Sequence, residues 1–379
     1  MLRFCSRCVM PDSKPDLLLD RDGVCNACRA YERRADVDWV ARRAELEVIL
    51  ARHRRASGWD CIVPVSGGKD STFQILKMRE LGMNPLAVTA TTCDESDIGR
   101  RNIENLKRLG FDHLQLSPNP RVRAKLNRIG LVQVGDVSWP EHVGIFTIPV
   151  QVAVAQRIPL LVWGENPQNE YGGPAAASAD RTLDRRWLEE FGGLLGLRVS
   201  DLVGMDGLAA KDLIPYTYPS DLDLARVGVT GLFLGYFVPW DGYANAFIAQ
   251  GWGFETYSHC AEGSLANYEN LDNYQTGIHD YFKYLKFGFG RASDIASMHV
   301  RRGRLARADA VALVLEHDGR FPDAYLGKSL DRILEPLDLS VAEFVAICDR
   351  FTNKKLFATD AHGHLVKERD GRPRRLYRP

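Results

Sequence analysis

A short apolar run, Cys61 to Val65, breaks into Ser66-Gly67-Gly68-Lys69-Asp70-Ser71, and a helical pattern then runs from Ser71 to Leu81 before Gly82. This strand, turn and helix constrain the fold more than any other stretch. The backbone N–H groups and the hydroxyls of Ser66 and Ser71 converge where a helix begins, which makes an anion site. Gly67 and Gly68 let the backbone approach a phosphate closely, Lys69 adds charge, and Asp70 is placed to hold a magnesium ion bridging phosphates. A Walker A loop is excluded, because position 63 is valine where that motif needs glycine. A plain glycine turn is the alternative reading, and the strand-turn-helix context disfavours it.

The same rhythm continues. Pro85 to Thr91 reads as a strand, Ile98 to Leu109 as a helix ended by Gly110, His113 to Leu116 as a short strand, Phe146 to Gln156 as a helix, and Ile158 to Trp163 as a fourth apolar strand. Such alternation predicts an α/β fold with a parallel sheet covered on both faces. A helix is expected over 37–56. Beyond Trp163 comes a long polar, glycine-rich loop to Thr182. Residues 183 to about 350 then look mainly helical, and Gly371-Arg372-Pro373-Arg374-Arg375 reads as a loose basic tail. The expected division is a cysteine-paired unit over 1–35, a nucleotide-binding domain over 36–182, and a mainly helical region over 183–379 that meets substrate or partner.

At 379 residues and 45% hydrophobic content the chain can bury a large core, and its 49 basic residues equal its 49 acidic ones. No global positive field exists to hold a polyanion, which argues against nucleic acid as a partner. The opening Met1-Leu2-Arg3-Phe4-Cys5 is no secretory signal, and no apolar run approaches the roughly eighteen residues of a membrane span. A cytoplasmic chain without a membrane partner is the expectation.

Residues 1 to about 34 are rich in turn formers and short of apolar periodicity, so something must staple them. Cys5-x2-Cys8 and Cys25-x2-Cys28 have the spacing of a four-thiolate zinc ribbon, closed and therefore structural. Iron–sulfur ligation is the alternative. At the carboxyl edge of the sheet, where open parallel sheets bind ligands, Thr91 ends one strand and Gly164-Glu165-Asn166 follows another. The loop running on to Gly173 gathers acids, amides and a phenol, with Asn166, Asn169, Glu170 and Tyr171 as candidate contacts. In the aromatic and cationic stretch from His279 to Arg291, Tyr281, Tyr284 and Leu285 read as core. Lys283, Lys286 and Arg291 are candidates for a phosphorylated or carboxylated substrate. Among the histidines, His142, His259 and His279 lie in motif-rich stretches.

The Ser66 to Ser71 pattern resembles the pyrophosphate loop of PP-loop ATPases, the adenine nucleotide α-hydrolase-like fold. Taken with the paired cysteines, Trp139-Pro140-Glu141-His142-Val143-Gly144-Ile145-Phe146-Thr147, the Gly164 to Gly173 loop and the Lys286 to Asp294 segment, nearly the whole chain resembles the N-acetyl sugar amidotransferases of surface-polysaccharide and nonulosonic-acid pathways. The loop departs at Asn169, where relatives are expected to carry an aromatic residue. The resemblance implies ATP, Mg2+ and structural Zn2+, and conversion of an acetamido group on a sugar to acetamidino through an imidoyl adenylate. Ser66, Gly67, Gly68, Lys69, Asp70, Ser71, Thr91 and Gly164 would bind the nucleotide, Lys69 and Asp70 would serve the chemistry, and Glu165, Glu170 or His142 would move protons. No glutaminase pattern is visible, so ammonia is expected from a separate glutaminase subunit, with a cyclase-like channelling subunit as a further expected partner. The rivals are a PP-loop tRNA thiolation enzyme, disfavoured by the charge balance, and a non-catalytic nucleotide-binding zinc-ribbon scaffold.

Overall fold

The computed structural model describes residues 2–166, 170, 172, 181–183 and 195–379. The sheet is built from β1 (Cys61–Pro64), β2 (Pro85–Ala90), β3 (His113–Leu116), β4 (Leu160–Trp163), β5 (Thr182–Leu183) and β6 (Thr230–Phe233) in the order β3-β2-β1-β4-β6-β5. The first five strands of that order are parallel, and β5 is an antiparallel edge. Successive side chains leave opposite faces. Cys61, Val63, Ala87, Leu160, Val162 and Leu232 enter one core, whereas Ile62, Leu86, Val88, Leu161, Trp163 and Phe233 enter the other. Burial on both faces explains why these strands are nearly continuous apolar runs.

Helices α1 (Asn26–Glu32), α2 (Trp39–His53), α3 (Lys69–Glu80), α4 (Asp97–Arg108), α5 (Pro120–Val134) and α6 (Trp139–Gln156) precede β4. α2, α3 and α4 supply Leu46, Leu50, Phe73, Ile75 and Leu106 to one core, and α6 supplies Ile148, Val150 and Val152 to the other. Their starts carry the expected caps: Asp38 accepts from Ala41 N–H at 2.9 Å, and Ser96 accepts from Gly99 N–H at 2.9 Å. α6 begins seven residues before its expected start, opened by Pro140 in its first turn, and contains Pro149.

α7 (Asp221–Val227) leads into β6, and after β6 come α8 (Leu234–Phe237), α9 (Gly242–Gly251), α10 (Thr276–Phe287), α11 (Arg291–Arg301), α12 (Arg307–His317), the small hairpin β7 (Ala324–Tyr325) and β8 (Lys328–Ser329), α13 (Leu330–Leu334) and α14 (Val341–Phe351). Their core packs Tyr281, Phe282 and Leu285 against Phe344 and Ile347, and also takes in Ile98, Leu131 and Val137 from the first half of the chain.

Two expectations need correction. The boundary after residue 182 cuts through the sheet, because β6 pairs with β4 along its whole length. The basic tail is pinned rather than loose: Arg375 donates to the Tyr284 hydroxyl at 2.9 Å and to the Asp318 carbonyl at 2.7 Å, and Leu376 N–H donates to the Leu356 carbonyl at 2.9 Å. Among the described residues no helix is long and apolar enough to cross a membrane.

Candidate functional site

The strands on either side of the β1/β4 boundary run outward in opposite directions, β2 and β3 to one side and β6 to the other. Parallel sheets open a crevice at such a switch point, outside the carboxyl ends of the strands. Ser66 to Gly68 lie there, between β1 and α3. Gly67 adopts φ +76°, and a Cβ on it would stand 3.0 Å from Ile103 Cγ1 and 3.1 Å from the Gly99 carbonyl, so glycine is required twice over. The loop is tied to its helix: Gly68 N–H donates to Ser66 Oγ at 3.3 Å, and the hydroxyls of Ser71 and Thr72 donate to the Gly68 carbonyl at 3.0 and 2.9 Å.

Lys69 is buried and lies 2.6 Å from Asp70 Oδ2 and 2.7 Å from Glu269 Oε1. Burial works against its charge, but the two carboxylates overcome that and hold the amine well above the ordinary lysine range. Asp70 Oδ1 accepts from Asn245 Nδ2 at 2.8 Å. Sequence reading missed both Glu269 and Asn245. They come from the loop before α10 and from α9, far along the chain, and no local pattern marks them.

A cavity of about 290 Å³ opens beside this loop, with Ser66, Ser71, Thr91, Phe146, Gly164 and Glu165 in its wall. The nucleotide candidates Ser66, Ser71, Thr91 and Gly164 therefore share one space. Thr91 is also engaged by Arg123, which donates to its carbonyl at 2.7 Å and its hydroxyl at 2.9 Å. A Cβ on Gly164 would come within 3.1 Å of the Trp240 ring. Burial, reinforced by the nearby Asp70 charge, pushes the Glu165 carboxyl up to about 8. Burial likewise raises Asp272 in the same wall to about 6. Asp70 and Glu269 flank Lys69 directly, and Glu165 lies within electrostatic reach of both Asp70 and Lys69.

The other candidates lie elsewhere. Glu170 is clamped by Arg34 at 2.7 Å and Arg302 at 2.9 Å, and its own N–H donates to the carbonyl of the buried Asn166 at 3.2 Å. Asn169 and Tyr171 fall outside the described residues. Lys283 pairs with Asp294, and Arg291 pairs with Asp280 at 2.9 Å, so both join an internal ion network on α10 and α11 rather than the cavity. Lys286 Nζ donates to the Val134 carbonyl at 3.3 Å. His142 lies one turn before the cavity residues Ile145 and Phe146 on α6, and both it and His279 face Asp136.

The four cysteines Cys5, Cys8, Cys25 and Cys28 are buried together, with Sγ separations of 3.9 Å for Cys5–Cys28 and 3.8 Å for Cys8–Cys25. A tetrahedron of sulfurs about 2.3 Å from zinc has edges of about 3.8 Å, so the set fits the ion. The unit also gains a core from elsewhere, packing Met10, Leu17 and Val24 against Phe289. Arg307 donates to the Cys8 carbonyl at 3.1 Å. Part of the Lys286 to Arg291 motif thus seats the cysteine unit.

A five-stranded parallel sheet carrying Ser-Gly-Gly-Lys-Asp-Ser at its switch point, with a four-cysteine unit before it and a mostly helical region after it, makes this an α/β protein whose glycine loop sits where open parallel sheets bind ligands. Residues 262–369 match the family model described as "LPS biosynthesis protein WbpG-like, C-terminal domain". Among solved structures, the chain is similar to the NMN synthetase from Francisella tularensis, with 15% identity, a TM-score of 0.28, and coverage of 51% of this chain and 92% of that one. No curated protein matches.

Proposed function

We propose that this chain is an ATP-dependent amidotransferase that converts an acetamido group on a nucleotide-linked or nonulosonic sugar to an acetamidino group, releasing AMP and pyrophosphate. The observation that carries the reading is the Ser66 to Ser71 loop at the switch point, facing a cavity walled by Thr91, Gly164 and Glu165. The match of residues 262–369 to a lipopolysaccharide-biosynthesis model supports the sugar pathway.

In this reading the loop amides and Lys69 take the β- and γ-phosphates, and Asp70 would hold a magnesium ion, which would supply charge screening to the leaving pyrophosphate. The acetamido oxygen attacks the α-phosphorus and the bond to pyrophosphate breaks. Ammonia then adds to the activated carbon, and AMP departs with the former acetamido oxygen. Glu165 is the carboxyl best placed for the proton lost from the adding ammonia, since it lines the cavity and its pKa of about 8 suits exchange near neutral pH. Glu170 is instead held between Arg34 and Arg302. Ammonia comes from a separate glutaminase subunit, with a channelling subunit as a further partner, in the cytoplasm.

The test is mass spectrometry of nucleotide-linked and nonulosonic acetamido sugars incubated with the chain, ATP, magnesium and ammonium. Exchange of one oxygen for an imino group, with AMP formed in step, is expected. ADP as the nucleotide product, or no sugar product across these classes, overturns the reading.

A further inference from the structure

Asp136, in the turn between α5 and α6, sits between two imidazoles from distant parts of the chain. Its Oδ1 lies 2.7 Å from His279 Nδ1 on α10, and its Oδ2 lies 3.4 Å from His142 Nδ1 on α6. The ring centroids of the two histidines are 5.1 Å apart at 82°. One ligand atom from each of the three residues falls within 4.8 Å of the others. We propose that Asp136, His142 and His279 bind a divalent first-row transition metal, with a further coordination position open to water or an anionic oxygen ligand.

The His142 side of the cluster suits an ion better than a hydrogen bond. Ligands about 2.1 Å from a shared metal stand about 3.0 to 3.4 Å from one another, which the 3.4 Å between His142 and Asp136 matches, whereas His279 lies at hydrogen-bond distance, 2.7 Å. Oδ1 already accepts the Ser138 N–H at 2.9 Å in addition to facing His279. The buried Nδ1 of His142 makes no hydrogen bond, although it lies 3.4 Å from Oδ2. A buried ring nitrogen and a carboxylate oxygen thus lie at a spacing long for a hydrogen bond and suitable for two ligands. Two imidazoles and one carboxylate suit zinc, iron, cobalt or manganese better than magnesium or calcium.

The turn that carries Asp136 is held rigidly. A Cβ on Gly130 would stand 2.5 Å from the Asp136 carbonyl oxygen, and one on Gly135 would stand 2.8 Å from the Phe351 ring, so α5 closes tightly on the turn. The histidine side chains retain 29% and 24% exposure against 5% for Asp136, which leaves one side of the cluster open to solvent. Three protein ligands with an open side describe an exchangeable site rather than a closed structural one. Lys286, two turns beyond His279 on the same face of α10, lies within electrostatic reach of Asp136 and adds positive charge that favours an anionic ligand. Because His279 comes from the region matched by the lipopolysaccharide-biosynthesis model and Asp136 does not, a bound ion would tie the two halves together.

The experiment is cobalt(II) titration of the full chain, carrying its native metal and without nucleotide, so that its outcome is independent of the proposed ATP chemistry. We expect one cobalt per chain with visible d–d bands and no thiolate charge-transfer band, competed by zinc. His279→Ala and His142→Ala should each weaken uptake about 100-fold or more, beyond the 10- to 100-fold typical of outer partners. His259→Ala is the control and should bind as the parent does. Should either alanine variant misfold by circular dichroism, Asp136→Asn supplies the same comparison. Absence of cobalt uptake, a thiolate band alone, or equal uptake by folded ligand variants overturns the site and leaves a hydrogen-bonded triad.

Discussion

Replacing Lys69 by methionine keeps the length of the side chain and removes the one charge that two carboxylates share. Lys69 is 6% exposed at its side chain, with Asp70 and Glu269 at 2.6 and 2.7 Å. Removing one partner from a buried ion pair costs about 3 to 5 kcal/mol, since a charge is left without compensation. Asp70 is 28% exposed and also holds Asn245, so water takes up part of its loss; Glu269, at 13%, carries more of the penalty. A loss of about 3 kcal/mol is therefore expected for Lys69→Met without nucleotide or magnesium. If the cause is the stranded Glu269 charge, Lys69→Met/Glu269→Gln should recover about 1 to 2 kcal/mol relative to the sum of the single changes. Urea unfolding of the four proteins, followed by tryptophan fluorescence, supplies the cycle. Additive single changes, or a Lys69→Met protein as stable as the parent, would refute the shared buried ion pair as a stabilising element.

Cys25→Ser should abolish stoichiometric zinc and lower the unfolding midpoint, because the first 34 residues otherwise have only a small core; metal analysis showing no metal in the parent would remove the ribbon. Glu165 offers a pH test: its folded pKa of about 8 lies above the unfolded value of about 4.3, so the folded state holds the extra proton between them. Stability of the parent should fall as pH rises through that window, and Glu165→Gln should flatten the fall; equal pH slopes by urea unfolding would contradict it. Gly130→Ala should cost about 1 to 3 kcal/mol, since its Cβ would meet the Asp136 carbonyl oxygen at 2.5 Å, and a protein of unchanged midpoint would show that the turn yields. Free ammonium should support turnover by the chain alone, and glutamine only after a glutaminase partner is added; glutamate formed by the isolated chain in step with AMP would defeat the partner expectation.

The sheet is legible wherever a strand is buried on both faces, as in Leu160-Leu161-Val162-Trp163, because such a run is apolar throughout and bounded by turn residues. β6 escapes notice for a physical reason. Thr230-Gly231-Leu232-Phe233 has an exposed first residue and a glycine second, and it passes straight into Leu234-Gly235-Tyr236-Phe237 without a turn signal. α5 is obscured because Arg123 and Asn127 are buried within its apolar face, where they serve Thr91 and Glu141. At the site, Ser66 to Ser71 and the paired cysteines are readable because spacing along the chain fixes their geometry. Glu269, Asn245 and the contact of His279 with Asp136 are set by the docking of α9, α10 and the loop between them onto the sheet domain, and spacing along the chain says nothing of that. Lys283 and Arg291 illustrate the converse: a cationic stretch that reads as a substrate site is neutralised by Asp280 and Asp294 from its own helices.

The central claim is that the acetamido oxygen attacks the α-phosphorus of ATP held by the Ser66 to Ser71 loop. The most direct measurement uses an acetamido sugar labelled with oxygen-18 in its carbonyl, incubated with ATP, magnesium and ammonium, with the nucleotide product analysed by mass spectrometry. The account predicts one heavy oxygen in AMP, in step with acetamidino product, and neither product from folded Asp70→Ala or Ser66→Ala. Label found in inorganic phosphate alongside ADP, unlabelled AMP, or undiminished turnover in those variants would contradict it.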